Sequence, residues 1–134
     1  MKTKELMVGD WFAVCGTPLQ IAAIGTHKAG FIDEKGEMFY HYYNMLKAIA
    51  LTSEILDNNG FKMNEVVNDN FPGGTKQWVY EDAECLICVS ESGITWWLEI
   101  ELQGYAGCIE MIVDDVHELQ HAINLFGITK KIEL

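Results

Sequence analysis

The segment of residues 114–127, DDVHELQHAINLFG, constrains the fold more than any other part of this sequence. A carboxylate at its start can accept hydrogen bonds from the free amides of a first helical turn, and the glycine at its end favours the left-handed conformation that stops a helix. At about 100° per residue, five apolar side chains fall within an arc of about 120°. The segment therefore predicts an amphipathic helix that covers a sheet; its apolar stripe consists of Val116, Leu119, Ala122, Ile123 and Phe126.

The same segment contains the motif HExxH, formed by His117, Glu118 and His121. In zinc hydrolases two histidines one turn apart hold the metal, and the glutamate activates the bound water. Catalytic zinc sites use three protein ligands, and Asn124 and Gly127 stand where an extended motif would have its glycine and its third histidine. Both histidines lie on the polar arc of the helix, so we predict that they face solvent. They remain the candidate metal ligands, while the sequence predicts no catalytic residue and no cofactor.

Residues 77–113 predict an antiparallel meander beneath this helix, with strands at 77–80, 84–89, 94–102 and 108–113. Apolar residues alternate with polar ones in the third strand, and a five-residue loop would place Glu101 opposite Glu110 on the outer face, with Glu99 two residues along. We interpret these acids as a solvated surface rather than a cation site, because carboxylates mostly stay exposed. Trp97 shares this face and is a candidate contact residue. Residues 128–134 can add an edge strand.

Residues 6–51 predict short strands at 11–14, 19–24, 29–32, 38–43 and 46–51, separated by glycine-containing turns. This pattern is typical of a small SH3-like barrel or roll. In the strand at 38–43, Tyr40 and Tyr42 share one face, and Phe39 and His41 share the other. Such aromatic residues can either fill a core or form a contact patch, because aromatics are enriched at interfaces. We therefore name Tyr40 and Tyr42, with Trp97, as the candidate contact surface.

Residues 51–61 have the pattern of a short helix that Thr52 caps and Gly60 ends, with Phe61 folding back onto Leu56. Residues 62–76 are rich in Asn, Gly and Asp, which predicts a mobile loop. The predicted fold is therefore α+β, with an SH3-like subdomain at 1–51 and an α+β subdomain at 52–134 in one compact unit. A chain of 134 residues can bury enough surface to fold in this way.

Charge excludes several classes of partner. The net charge is −11, and all nine cations are lysines. Residues 1–70 carry six lysines and nine acids, whereas residues 71–134 carry three lysines and eleven acids. Nucleic acids and anionic membranes attract basic surfaces and often arginine, so neither is an expected partner. The sequence predicts no membrane span and no signal peptide, and hence a cytoplasmic protein.

Four cysteines, at positions 15, 85, 88 and 108, are expected to be reduced in the cytosol. Cys85 and Cys88 have CxxC spacing, which is typical of zinc and redox sites. The pattern of their segment predicts a strand, however. Residues three apart in a strand point to opposite faces. We therefore interpret them as packed thiols rather than a metal or redox pair.

Three stretches, at residues 5–11 (ELMVGDW), 51–61 (LTSEILDNNGF) and 116–123 (VHELQHAI), resemble a family of small uncharacterised proteins. That family is encoded in gut Gram-negative anaerobes, often within prophages or other mobile elements. The resemblance implies an intracellular accessory protein. It implies no activity, ligand or catalytic residue. We therefore expect a non-enzymatic protein that contacts another protein, with the acidic second half meeting a basic partner. The alternative is a small zinc hydrolase built on His117, Glu118 and His121.

Overall fold

The structure is a computed structural model that describes residues 6–67, 69, 72–105 and 107–134. The described elements are antiparallel sheets, two α-helices and a short 3-10 helix at Tyr43–Met45, which confirms an α+β fold. Neither α-helix in the described residues is long and apolar enough to cross a lipid bilayer. The elements are β1 (Trp11–Val14), β2 (Thr17–Gln20), β3 (Ala23–Ile24), β4 (Lys28–Ile32), β5 (Met38–Tyr42), β6 (Lys47–Ala48), α1 (Ser53–Asn58), β7 (Lys62–Val66), β8 (Thr75–Glu81), β9 (Cys85–Ser92), β10 (Thr95–Leu102), β11 (Ile109–Val113) and α2 (Val116–Leu125).

The described residues divide into two compact units. The first unit contains the chain up to Ala50 together with Asp115–Ala122, the first part of α2. The second unit contains Leu51–Asp114 and Ile123–Glu133. Each unit therefore has its own sheet structure, and the chain passes from one unit to the other after Ala50, after Asp114, within α2 and before Leu134.

The first unit holds two separate three-stranded antiparallel sheets, in the orders β2-β1-β6 and β3-β4-β5. The predicted SH3-like barrel is not confirmed, because these described strands do not close into one sheet. The predicted strand at 19–24 is instead interrupted: the Ile21 N–H donates to the Asp10 carbonyl, and the Ala22 N–H donates to the Gly30 carbonyl. The chain thus leaves the first sheet at Ile21 and joins the second at Ala22. The buried core of this unit is Leu6, Phe12, Val14, Ile21, Ala29, Phe31 and Leu46.

The second unit contains one five-stranded antiparallel sheet in the order β11-β10-β9-β8-β7. The predicted four-stranded meander is present in it, and β7 is an additional edge strand. The prediction of a loop at 62–76 is wrong for Lys62–Val66, which forms β7. This strand shows no apolar alternation in sequence because its side chains are mostly exposed. Residues 68, 70 and 71 of the predicted loop lie outside the described residues.

The predicted register of the last two strands is wrong by two residues. Ile100 pairs with Ile109 and Glu99 pairs with Glu110, so the connection between β10 and β11 is longer than the predicted five-residue loop. A shift of two residues keeps every side chain on its own face, because the side-chain period of a strand is two residues. The faces were therefore predicted correctly, although the opposed acids are Glu99 and Glu110 rather than Glu101 and Glu110.

Helix α1 forms as its sequence predicts. The Thr52 hydroxyl accepts a hydrogen bond from the Ile55 N–H (3.2 Å). Gly60 adopts a φ of +83°, and the Phe61 N–H donates to the Leu56 carbonyl (3.1 Å). Leu56 and Phe61 are both buried. The N-cap residue, the glycine at the C-terminus and the apolar residue that follows it are therefore sufficient to predict both ends of this helix.

The C-terminal residues 128–134 do not form the predicted edge strand. Ile128 and Ile132 are nevertheless buried. The buried Asn59 side chain holds this tail, because its Oδ1 accepts from the Glu133 N–H (2.7 Å) and its Nδ2 donates to the Glu133 carbonyl (2.9 Å). The apolar residues of the tail thus contribute to the core of the second unit without sheet pairing.

Candidate contact surface

Strand β5 separates two kinds of aromatic side chain. Its pairing with β4 places Phe39 opposite Phe31 and His41 opposite Ala29, on the buried face of the sheet. The ring centroids of Phe31 and Phe39 are 5.7 Å apart, and those of Phe39 and His41 are 5.6 Å apart. His41 is therefore part of an aromatic cluster on the core side of the sheet.

The opposite side of the same sheet exposes a cluster of large side chains, which we call the tyrosine face. Tyr40 and Tyr42 are 59% and 54% exposed, and Met38 and Ile32 are 42% and 57% exposed. Lys28 lies across from Tyr42, with its Nζ 4.6 Å from the ring centroid. The sequence left open whether the two tyrosines fill a core or face outward, and the structure places them outward.

Gly30 allows the side chains of Met38 and Tyr40 to pack close to β4. It pairs with Tyr40, and a Cβ atom at Gly30 would lie 2.9 Å from the Met38 sulfur and 3.1 Å from a ring carbon of Tyr40. Such distances are too short for ordinary packing, so a larger residue would push both side chains away. The Tyr40 ring and the Met38 side chain therefore pack closely against β4 at Gly30.

A shallow hollow adjoins the tyrosine face within the first unit. Its apolar lining includes Val8, Trp11, Leu19 and Ile32. Ile32 belongs both to the lining of this hollow and to the tyrosine face, so the two adjoin at this residue. Val8 is itself 61% exposed. The sequence alone did not identify this hollow, because its lining comes from strands of both sheets of the first unit.

Trp97 lies on the outer face of the five-stranded sheet in the second unit. It is half-buried and stands between Ser90 of β9 and Ile112 of β11. Its indole N–H donates to Oε1 of Glu99 (3.2 Å). Tyr40 and Tyr42 belong to the first unit and Trp97 to the second, so we treat them as two surfaces.

Close to Trp97, ligand-type atoms of Glu99, Cys108 and Glu110 all lie within 4.8 Å of one another. In the described part of the chain this is the one group of three potential metal donors that meets this distance. Burial, followed by the charges of Glu99 and Glu101, raises the pKa of the Cys88 thiol on the same face to about 11. The pKa of the Cys108 thiol is also raised, by desolvation and then by Glu110. These thiols are therefore protonated near neutral pH.

The two cysteines of the CxxC pair point to opposite faces of β9, as the strand pattern predicts. Cys85 is buried with Ile87 and Val89, whereas Cys88 stands opposite Glu99 on the outer face. All four cysteines of the chain are free thiols. The CxxC spacing therefore reflects strand alternation and not a chelating pair.

The two histidines of the HELQH motif do not face open solvent, so that prediction is wrong. Nε2 of His121 lies 2.7 Å from Oδ2 of Asp10, a carboxylate that is 1% exposed. The same oxygen accepts a hydrogen bond from the Met7 N–H (2.9 Å). The His117 ring lies 4.7 Å from the Phe12 ring. The helical wheel identified a polar arc, but the N-terminal segment of the same unit packs on it.

Gln120, between the two histidines, completes this attachment. Its Nε2 donates to the Gly9 carbonyl (2.9 Å), and its Oε1 accepts from the Trp11 N–H (3.1 Å). We call Asp10, His121 and Gln120 the polar clamp. It satisfies backbone groups next to β1 and holds the first part of α2 against that strand within the first unit.

The polar clamp disfavours a catalytic zinc at HELQH. The Nε2 atom of His121 already contacts the Asp10 carboxylate. His121 would have to lose this contact in order to bind zinc through Nε2. His117 and His121, whose ring centroids are 5.7 Å apart, do not belong to the three-donor group found among the described residues. The arrangement supports a structural role for the motif.

Comparisons of the chain with protein-family models, with curated proteins and with solved structures found no match. The resemblance to accessory proteins of gut anaerobes therefore stays a prediction.

Proposed function

We propose that this chain is a non-enzymatic, cytoplasmic accessory protein that acts through protein–protein contacts, and that the tyrosine face is its contact surface. The observation that carries the proposal is the division of β5. Phe39 and His41 supply its core side, while Tyr40, Tyr42 and Met38 remain outward and about half exposed.

The composition of the tyrosine face suits binding to a protein. Tyrosine supplies a large contact area with few rotatable bonds, and its hydroxyl keeps a hydrogen bond available at the rim. Tyr and Met are enriched in interfaces, whereas exposed apolar patches are usually small on monomers. The adjoining hollow provides a place for an apolar side chain of the partner, which is the typical setting of a binding hot spot.

The side chains of the tyrosine face are not part of the buried core of the first unit. Tyr40 and Tyr42 lie on an edge strand of the sheet and are about half exposed, whereas the buried core contains Phe12 and Phe31. Contiguous exposed apolar patches often mark sites of protein contact. A partner that covers this face would remove its apolar area from water.

Site-specific photo-crosslinking tests the proposal. A photoreactive phenylalanine analogue at position 40, in cells of the source organism, is expected to give a covalent adduct with a defined protein. The matched control is the same analogue at Tyr105, which is 76% exposed and lies in the second unit.

An adduct from position 40 that is absent from position 105 would support the tyrosine face as the contact surface. An adduct of twice the chain mass would identify a second copy as the partner. Equal adduct patterns from both positions, or no adduct from position 40, would contradict the proposal.

A further inference from the structure

We infer that the outer face of the five-stranded sheet binds a basic, extended segment of a partner protein. This inference concerns the second unit and does not depend on the tyrosine face. We define the outer face by the side chains that alternate away from the buried residues of β8, β9, β10 and β11. Its apolar members are Val79, Leu86, Cys88, Trp97 and Ile112, and its acids are Glu81, Glu99, Glu101 and Glu110.

The apolar part of the outer face is partly open. Trp97, Leu86, Val79 and Cys88 are half-buried, and Ile112 is 56% exposed. Trp97 and Ile112 stand directly opposite each other on β10 and β11. Together they form an apolar strip that can contact the aliphatic stem of a lysine or arginine side chain. The face of an indole ring also attracts the cationic group itself.

On β8, β9, β10 and β11, every charged side chain of the outer face is an acid. Glu99 stands directly opposite Glu110, and Leu86 stands between Glu81 on β8 and Glu101 on β10. Directly opposed like charges destabilise a sheet. Among the described strand residues of this face, including those of β7, the single cation is Lys62. A basic segment would therefore relieve a repulsion that exists in the free protein.

The spacing of the acids suits an extended partner. Glu99 and Glu101 are two residues apart along β10, which corresponds to about 7 Å in a strand. Alternate residues of an extended peptide have the same spacing, so cations at alternate positions can meet both acids. The Trp97 indole N–H donates a hydrogen bond to Oε1 of Glu99 (3.2 Å), which ties this acid to the apolar strip. Charge complementarity therefore favours a basic protein segment as the ligand of this face.

Binding of a dye-labelled synthetic peptide of alternating Arg and Val residues, followed by fluorescence anisotropy, tests the inference. We expect the peptide to bind, and a matched peptide of alternating Glu and Val not to bind. Glu110→Gln is expected to weaken binding about fivefold, because one opposed charge is lost. The same variant is expected to unfold at a slightly higher temperature, because it removes the repulsion with Glu99.

The matched control is Glu34→Gln, which removes one exposed acid from the turn between β4 and β5 in the first unit. It is expected to leave peptide affinity within twofold of the wild type. Equal weakening by both variants would assign the binding to overall charge and would overturn the inference. Absence of peptide binding would also overturn it, as would binding of Zn²⁺ alone that is lost on Cys108→Ser. None of these results bears on crosslinking from position 40.

Discussion

Replacing Phe12 with alanine is expected to lower the free energy of unfolding by about 3–5 kcal/mol. Phe12 is fully buried, lies on the central strand of the β2-β1-β6 sheet and contacts the His117 ring at 4.7 Å. Its removal leaves a cavity between β1 and the first part of α2 within the first unit. Urea-induced unfolding followed by circular dichroism measures the effect.

Tyr42→Ala is the matched control for this prediction. Tyr42 is a large aromatic residue in the same unit but is 54% exposed, so the variant is expected to change the free energy of unfolding by less than about 0.5 kcal/mol. A loss below about 1 kcal/mol for Phe12→Ala would show that β1 is not the centre of this core. A large loss for Tyr42→Ala would show that the tyrosine face serves the fold.

His121→Ala is expected to lower the free energy of unfolding by about 2–3 kcal/mol. The substitution leaves the Asp10 carboxylate, which is 1% exposed, with fewer donors in a site that water reaches poorly. Asp10→Ala is expected to have a similar effect, and the double variant is expected to lose clearly less than the sum of the two, because both substitutions break the same contact. Urea unfolding of the four proteins gives this cycle directly.

His27→Ala is the control for the clamp, since His27 is exposed in the same unit and its substitution is expected to be nearly neutral. The competing explanation makes a different prediction. If HELQH were a zinc site, His121→Ala would release a stoichiometric metal ion, and Asp10→Ala would leave metal binding intact. That result would overturn the structural role of the motif.

Local signals were sufficient for the two helices. Thr52 and Gly60 fix the ends of α1, and the apolar stripe of α2 is buried at Val116, Leu119 and Ile123. Each of these features depends on residues within a few positions of one another, so the sequence displays them directly. The alternation in β9 and β10 likewise identified the buried face.

Long-range pairing was not visible in the sequence. The contact between Asp10 and His121 joins residues 111 positions apart, and nothing local distinguishes a clamped histidine from a solvated one. The interruption at Ile21 depends on carbonyls supplied by Asp10 and Gly30. A helical wheel states only which side chains share a face, and the partner that covers that face is a property of the tertiary structure.

The candidate surface was partly predictable. Alternation placed Tyr40 and Tyr42 together, but both faces of β5 are bulky, so periodicity alone could not decide which one is exposed. Gly30 carried a signal that sequence reasoning missed, because a glycine inside a strand often marks a close approach by another group. The structure shows that approach in the side chains of Tyr40 and Met38.

The central claim, that this chain acts through its tyrosine face, is tested most directly by the affinity of the partner captured from position 40. Titration calorimetry would compare the wild type with the variant Tyr40→Thr/Tyr42→Thr, which removes both rings and places threonine, a residue that favours strands, at both positions of β5. We predict an affinity at least about tenfold weaker, because two central aromatic contacts are lost while the fold remains. Unchanged affinity in a folded variant would contradict the claim.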